Sequence, residues 1–250
     1  MQHLYSDTLD WMEESLDHLL QKLGLPELIL IDRRSVYRFR NHGALEAIFL
    51  KLVRVVSGLR ASTILLEAGF LQERAAMCRM LDEFQEDVFF LVLAAKEDPQ
   101  PNILSRYLKG FFHEEQALSA FRAGERVKGR DLVARKDIIN YVACKAPGST
   151  DAFRASNASL AISHALSDFV HGASHHIMEM FNPAMQRFTT NSHARGPLFE
   201  DNQYDLWNYY YRGIITFSLA AKAFGDASLS ERTYNQVKEF ERRSGNRKDF

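Results

Sequence analysis

The sequence predicts an all-α protein, a single large helical bundle of about seven to eight helices with short connections and one long loop near 184–202. Three observations carry that expectation. Apolar residues recur at helical rather than alternating spacing through most of the 250 residues. All six prolines, at 26, 99, 101, 147, 183 and 197, fall between the periodic segments, where a ring without a backbone donor does least damage. No internal repeat and no Gly/Ser-rich linker divides the chain, so residues 1–250 read as one domain.

The first helix is expected near 4–23, with Leu9, Met12, Leu16, Leu19, Leu20 and Leu23 on its buried stripe and Gly24 and Pro26 closing it. Leu28 to Ile31 fits a short extended piece. Asn41 is placed to cap a long helix reaching Glu67, and Gly69 suits its left-handed end. The next helix, about 71–97, carries Met77, Met80, Leu81, Phe84, Val88, Leu91, Val92 and Ala95 on one side. Its stretch from Val88 to Ala95 is apolar all round, which places it at the centre of the core.

Further helices are expected at about 102–122 and 131–145, with the charged stretch Gly124 to Arg130 a solvated loop between them. Asp151 is positioned to cap a helix over about 152–181, ended by Asn182-Pro183. Residues 184–202 show no period and read as the long loop. An aromatic-rich helix follows at about 203–224, its Tyr204, Trp207, Tyr211, Ile214, Ile215 and Ser218 in helical register and best explained as core packing. Ser228-Leu229-Ser230-Glu231 has the capping-box pattern of a last helix, which passes into a charged, frayed tail at 240–250.

Composition excludes several classes. Charged residues are 25% and hydrophobic ones 46%, and the net charge of −1 gives no strong nucleic-acid footprint. Cys78 and Cys144 sit inside helical patterns with no CxxC pairing, which fits neither a disulfide framework nor a zinc knuckle and points to a reducing cytoplasm. The N-terminal 20 residues carry Asp7, Asp10, Glu13, Glu14 and Asp17, unlike a secretory signal. The longest apolar run is far short of the roughly 20 residues a membrane span needs, so no membrane association is expected. Gly-rich phosphate loops, GxSxG and HExxH are all missing from the sequence.

Chemistry concentrates in Leu166 to His176. At about 100° per residue His164, Asp168, His171, His175 and Glu179 share one stripe of the helix there, and Ile162, Leu166, Phe169, Val170, Ala173, Ile177 and Met180 pack on the opposite side. His171 and His175, one turn apart, have the spacing for two imidazoles on one divalent metal, with Glu179, Asp168, Glu83 or Glu86 as a third ligand. Arg79 and Glu83, at i and i+4, form an intrahelical pair just before the all-apolar turn. If buried, they need partners, and Asp168 and His171 are the natural ones. The candidate polar cluster is therefore Arg79, Glu83, Asp168 and His171, and the candidate metal set His171, His175 and Glu179.

Weaker patterns are Arg106 to His113 and Arg187 to His193, which match the arginine–histidine spacing of nucleolytic helical bundles; about two such matches arise by chance in a chain this rich in both residues. Ser163, Ser167 and Ser174 lie near histidines, but neighbours along one helix seldom reach triad geometry.

Ala68-Gly69-Phe70-Leu71-Gln72-Glu73-Arg74-Ala75-Ala76-Met77-Cys78-Arg79-Met80-Leu81-Asp82-Glu83 together with Leu166-Ser167-Asp168-Phe169-Val170-His171-Gly172 resembles a bacterial family of helical proteins of unassigned function. In that family an arginine and a glutamate four apart are joined by a later serine–x–aromatic–valine–histidine segment, matched here by Arg79, Glu83, Ser167 and His171. The resemblance implies a helical bundle distantly similar to HEPN domains and names no activity.

Three readings of function follow. The first is a cytoplasmic binding or regulatory module, with a homodimer as one form. The second is an enzyme, either a metal-assisted hydrolase or a HEPN-like ribonuclease of a phage-defence or toxin system. The third is a structural or assembly protein whose histidine stripe is a solvated face.

Overall fold

A computed structural model describes residues 1–31, 34–113, 132–146, 151–191 and 197–245. The architecture is an all-α bundle, with nine helices and two small hairpins among the described residues. In chain order these are α1 (Gln2–Leu23), β1 (Glu27–Ile31), β2 (Arg34–Arg38), α2 (Ala44–Glu67), α3 (Leu71–Ala94), α4 (Asn102–Phe111) and α5 (Arg135–Lys145). They continue with α6 (Ala152–Val170), α7 (Ser174–Met178), β3 (Phe181–Asn182), β4 (Arg187–Phe188), α8 (Pro197–Ala223) and α9 (Ala227–Arg243). None of these helices is long and apolar enough to cross a membrane.

The helices α2 and α3 pair along their lengths because their connection is short and tight. Gly69, at φ 79°, supplies the left-handed residue, and the Phe70 and Gly69 N–H groups donate to the Leu65 and Leu66 carbonyls. Helix α3 is the centre of the bundle, touching α2, α5, α6 and α8. As its composition predicts, Val88, Phe90, Leu91, Val92 and Ala94 are buried. Helix α8 runs along α1, where Tyr5 stacks on Tyr210 at 4.4 Å between ring centroids and Trp11 meets Phe217 edge-on at 5.5 Å. Helix α9 closes that side by packing Phe240 against Trp207.

Several boundaries differ from those expected. Gly43, not Asn41, occupies the N-cap of α2, and no side chain caps it. Asp226, rather than the Ser228 capping box, caps α9 by accepting the Leu229 N–H at 2.9 Å. Asp151 does cap α6, accepting the Arg154 N–H. The expected loop at 184–202 holds β4, which pairs with β3 just before it, and the first turns of α8, which starts at Pro197 because its fixed φ and missing N–H suit a first helical position. The charged end remains helical to Arg243. Helix α4 ends at Phe111 rather than continuing to the expected 122, and residues 114–122, the loop 124–130 and His193 lie outside the described residues.

The extended piece at Leu28 to Ile31 is the first strand of a β1–β2 hairpin, which pairs Leu28 with Tyr37 and Ile29 with Val36. Leu28, Leu30 and Tyr37 are exposed on it.

Candidate functional site

The histidine-bearing helix does not run through. Gly172 takes φ 64°, a region that costs an L-residue energy, and ends α6 at Val170. The Ala173 N–H donates to the Asp168 carbonyl at 2.9 Å and the Gly172 N–H to the Phe169 carbonyl at 3.4 Å, the paired bonds of a Schellman ending. The chain turns there and starts the short helix α7. Asp168 in the last turn of α6 is thereby set beside His175 and His176 of α7.

This turn corrects the candidate metal set His171, His175 and Glu179. His171 is the C-cap residue of α6 and is exposed, so it no longer shares a helical stripe with His175. Instead Asp168, His175 and His176 bring one ligand-capable atom each to within 4.8 Å of one another. Asp168 Oδ2 lies 3.9 Å from His175 Nε2. The His176 ring, mostly covered, stacks on Phe169 at 3.6 Å and lies 4.1 Å from the His175 ring. Glu179 stands behind it, with Oε1 3.3 Å from His176 Nδ1. Gln72 of α3 holds both, donating to Glu179 Oε2 at 3.2 Å and to the His176 carbonyl at 2.9 Å.

The buried Arg–Glu–His cluster also changes. Arg79 and Glu83 do pair, at 2.8 Å along α3. No hydrogen bond or ion pair among the described residues joins them to Asp168 or His171, both of which are exposed. The reason is the rotation of α6. Its less exposed side carries Ser156, Ser159, Leu160, Ser163, Leu166 and Ser167, while Ile162 and Val170 of the expected packing side are exposed. Ser163 and Ser167 thus belong to the packed side of α6, and Ser174 is exposed on α7. Arg106 is exposed on α4 and His113 lies just past its end.

Inside the bundle lies a polar seam that periodicity alone did not reveal. Arg74, Cys78, Asp82 and Glu86 follow one another at i+4 on α3, and Asn202, Asp205, Tyr209 and Arg212 answer them from α8. Arg74 is 1% exposed and donates to Asn202 Oδ1. Tyr209 and Arg212 both donate to Asp82, at 3.1 and 2.7 Å. Arg135 of α5 bridges Glu86 and Asp87, and Asp87 also receives Tyr107 Oη–H at 2.9 Å and Lys51 Nζ at 2.7 Å.

Burial pushes the Cys78 thiol up, and it lifts Glu86 although Arg135 pulls the other way. Burial, with Asp82 and Asp87 beside them, also raises the Tyr209 and Tyr107 phenols well above their ordinary value. A thiol and phenols held neutral in this way are poor nucleophiles and bases. The i+4 run of polar residues on α3 was the signal available in the sequence; it pointed equally to Arg79 and Glu83.

Concavities open to solvent in two regions among the described residues. One, of about 220 Å³, lies between the start of α3 and the β3–β4 hairpin, with Gln72, Glu73, Glu179, Asn182, Thr190 and Asn191 among its polar lining and Leu71 and Phe181 among its apolar lining. Glu179 and Gln72 connect it to the histidine corner. The other, of about 480 Å³, is lined by Tyr37, Phe39, His42, Phe49, Phe111 and Phe112 with others, His42 stacking on Phe112 at 4.5 Å.

No protein-family model matches this chain, and no curated protein and no solved structure matches it.

Proposed function

We propose that this protein is a binding module for a small hydrophilic molecule, with the cavity between the start of α3 and the β3–β4 hairpin as its ligand site. One observation carries the reading: the lining of that cavity offers two carboxylates, Glu73 and Glu179, three amides and two threonine hydroxyls, and no lysine, arginine or histidine among the described residues. Such a surface favours a ligand that donates hydrogen bonds or carries an amine, and it repels anions. At about 220 Å³ it is smaller than the roughly 300–1000 Å³ of a drug-sized pocket, which limits the ligand to about the size of a monosaccharide.

Calorimetric titration with small amines, amino alcohols and monosaccharides tests the reading. A saturable binder should lose about tenfold or more in affinity in Glu73→Gln or Thr190→Val, consistent with loss of one or two hydrogen bonds. Failure of every such compound to bind, or RNA cleavage by the purified chain that is lost in Arg106→Ala or His113→Ala, overturns it.

A further inference from the structure

We infer that Asp168, His175 and His176 form a binding site for one divalent transition-metal ion, with zinc the best chemical match. Two imidazoles and one carboxylate form a borderline-soft donor set, suited to zinc, cobalt or nickel rather than to magnesium or calcium, which prefer all-oxygen shells. The geometry is close to what such an ion needs. Ligands bound at about 2.0–2.1 Å on a tetrahedron lie about 3.4 Å apart. Asp168 Oδ2 and His175 Nε2, at 3.9 Å, are too far apart to hydrogen-bond and only about 0.5 Å wider than that edge. Both side chains are more than half exposed and have room to close the gap.

An outer layer marks this as more than two surface histidines. A carboxylate can only accept, so the His176 Nδ1 that faces Glu179 carries the ring proton and leaves Nε2 with its lone pair for a metal. Glu179 is in turn held by Gln72, which also ties the His176 carbonyl to α3. Phe169 fixes the ring plane by stacking. Three protein ligands on a solvent-facing corner leave a further coordination position for water or for a ligand atom. Because Glu179 also lines the cavity, the ion would sit on its border. The inference does not rest on the ligand reading, since metal binding is measured without any ligand present.

The test uses the full chain without an affinity tag, stripped by chelator, in a Cys144→Ser background so that the exposed thiol contributes nothing. Calorimetry with zinc and visible absorption with cobalt should each show one ion per chain. Asp168→Asn, His175→Ala and His176→Ala should each weaken zinc binding by at least tenfold, and the double histidine variant should abolish it. Glu179→Gln, which leaves the three ligands in place, should weaken binding about 10–100-fold at unchanged stoichiometry. His171→Ala should bind as the parent does. Should His176→Ala fail to fold, His175→Ala and Asp168→Asn decide the matter, because both side chains are exposed. Absence of saturable one-to-one binding, or binding indifferent to these replacements, overturns the site.

Discussion

Lys51 of α2 sets its ammonium 2.7 Å from Asp87 Oδ2 of α3, where Asp87 is 4% exposed and Lys51 only 13% exposed at its side chain. The same carboxylate takes Arg135 from α5 and Tyr107 from α4, so four helices meet on one acidic group. Removing Asp87 leaves two cations in a poorly solvated interior. Asp87→Ala should lower the free energy of unfolding by about 3–5 kcal/mol, read by urea titration. A loss below about 1 kcal/mol would mean that water already screens the cluster.

Close packing between α2 and α3 depends on Gly58. A Cβ there would stand 2.8 Å from Leu81 Cδ2 and 3.3 Å from its Cγ, and Leu81 is fully buried. Gly58→Ala gains about 1 kcal/mol of helix propensity and costs about 1–3 kcal/mol of overpacking. Net destabilisation is expected in chemical denaturation, and Leu81→Val in the same chain should recover part of it.

At Gly172 the obstacle is the backbone rather than space, since an added Cβ meets only Ile177 Cδ1 at an ordinary 3.7 Å. Its φ of 64° makes Gly172→Ala cost about 1–2 kcal/mol. Asparagine, which tolerates this region better, should cost less. The ordering of Gly, Asn and Ala in thermal melts checks the turn that joins Asp168 to His175 and His176.

The carboxyl of Asp226 is pushed up by its burial, but the Leu229 N–H, Lys22 and His18 together outweigh this and hold it well below the usual range. A carboxyl depressed on folding contributes its stability above its unfolded value, and that contribution is lost as pH falls through about 4 toward the folded value. Asp226→Ala should cost about 1–3 kcal/mol at pH 7, through the lost cap and ion pairs. The gap between wild type and variant should narrow steadily below about pH 4. A pH-independent gap would show that the cap acts without its charge.

The i+4 spacing along α3 makes Arg79–Glu83 and Arg74–Asp82–Glu86 equally plausible inner polar rows from sequence. Which row turns inward depends on α8, more than 120 residues later, whose Asn202, Tyr209 and Arg212 meet Arg74 and Asp82. A helix apolar over much of its circumference has no single inward face that a pattern can name. Similarly, the stripe through His171, His175 and Glu179 assumed a continuous helix. Glycine permits both continuation and a left-handed ending, and packing against Gln72 and α3 accompanies the ending seen here.

By itself the sequence determined the helical class, the core position of Val88 to Ala95, the burial of Trp207 and Ile214 on α8 and the glycines Gly24 and Gly69 that close α1 and α2. These depend on contacts within a few residues, where a 3.6-residue period and the conformational freedom of glycine act directly. Only the tertiary structure decided the rotation of α3 and α6, the partners of the buried charges, and the meeting of Asp168 with His175 and His176. Those depend on segments distant in the chain, and their energies come from desolvation and shape once the helices are packed.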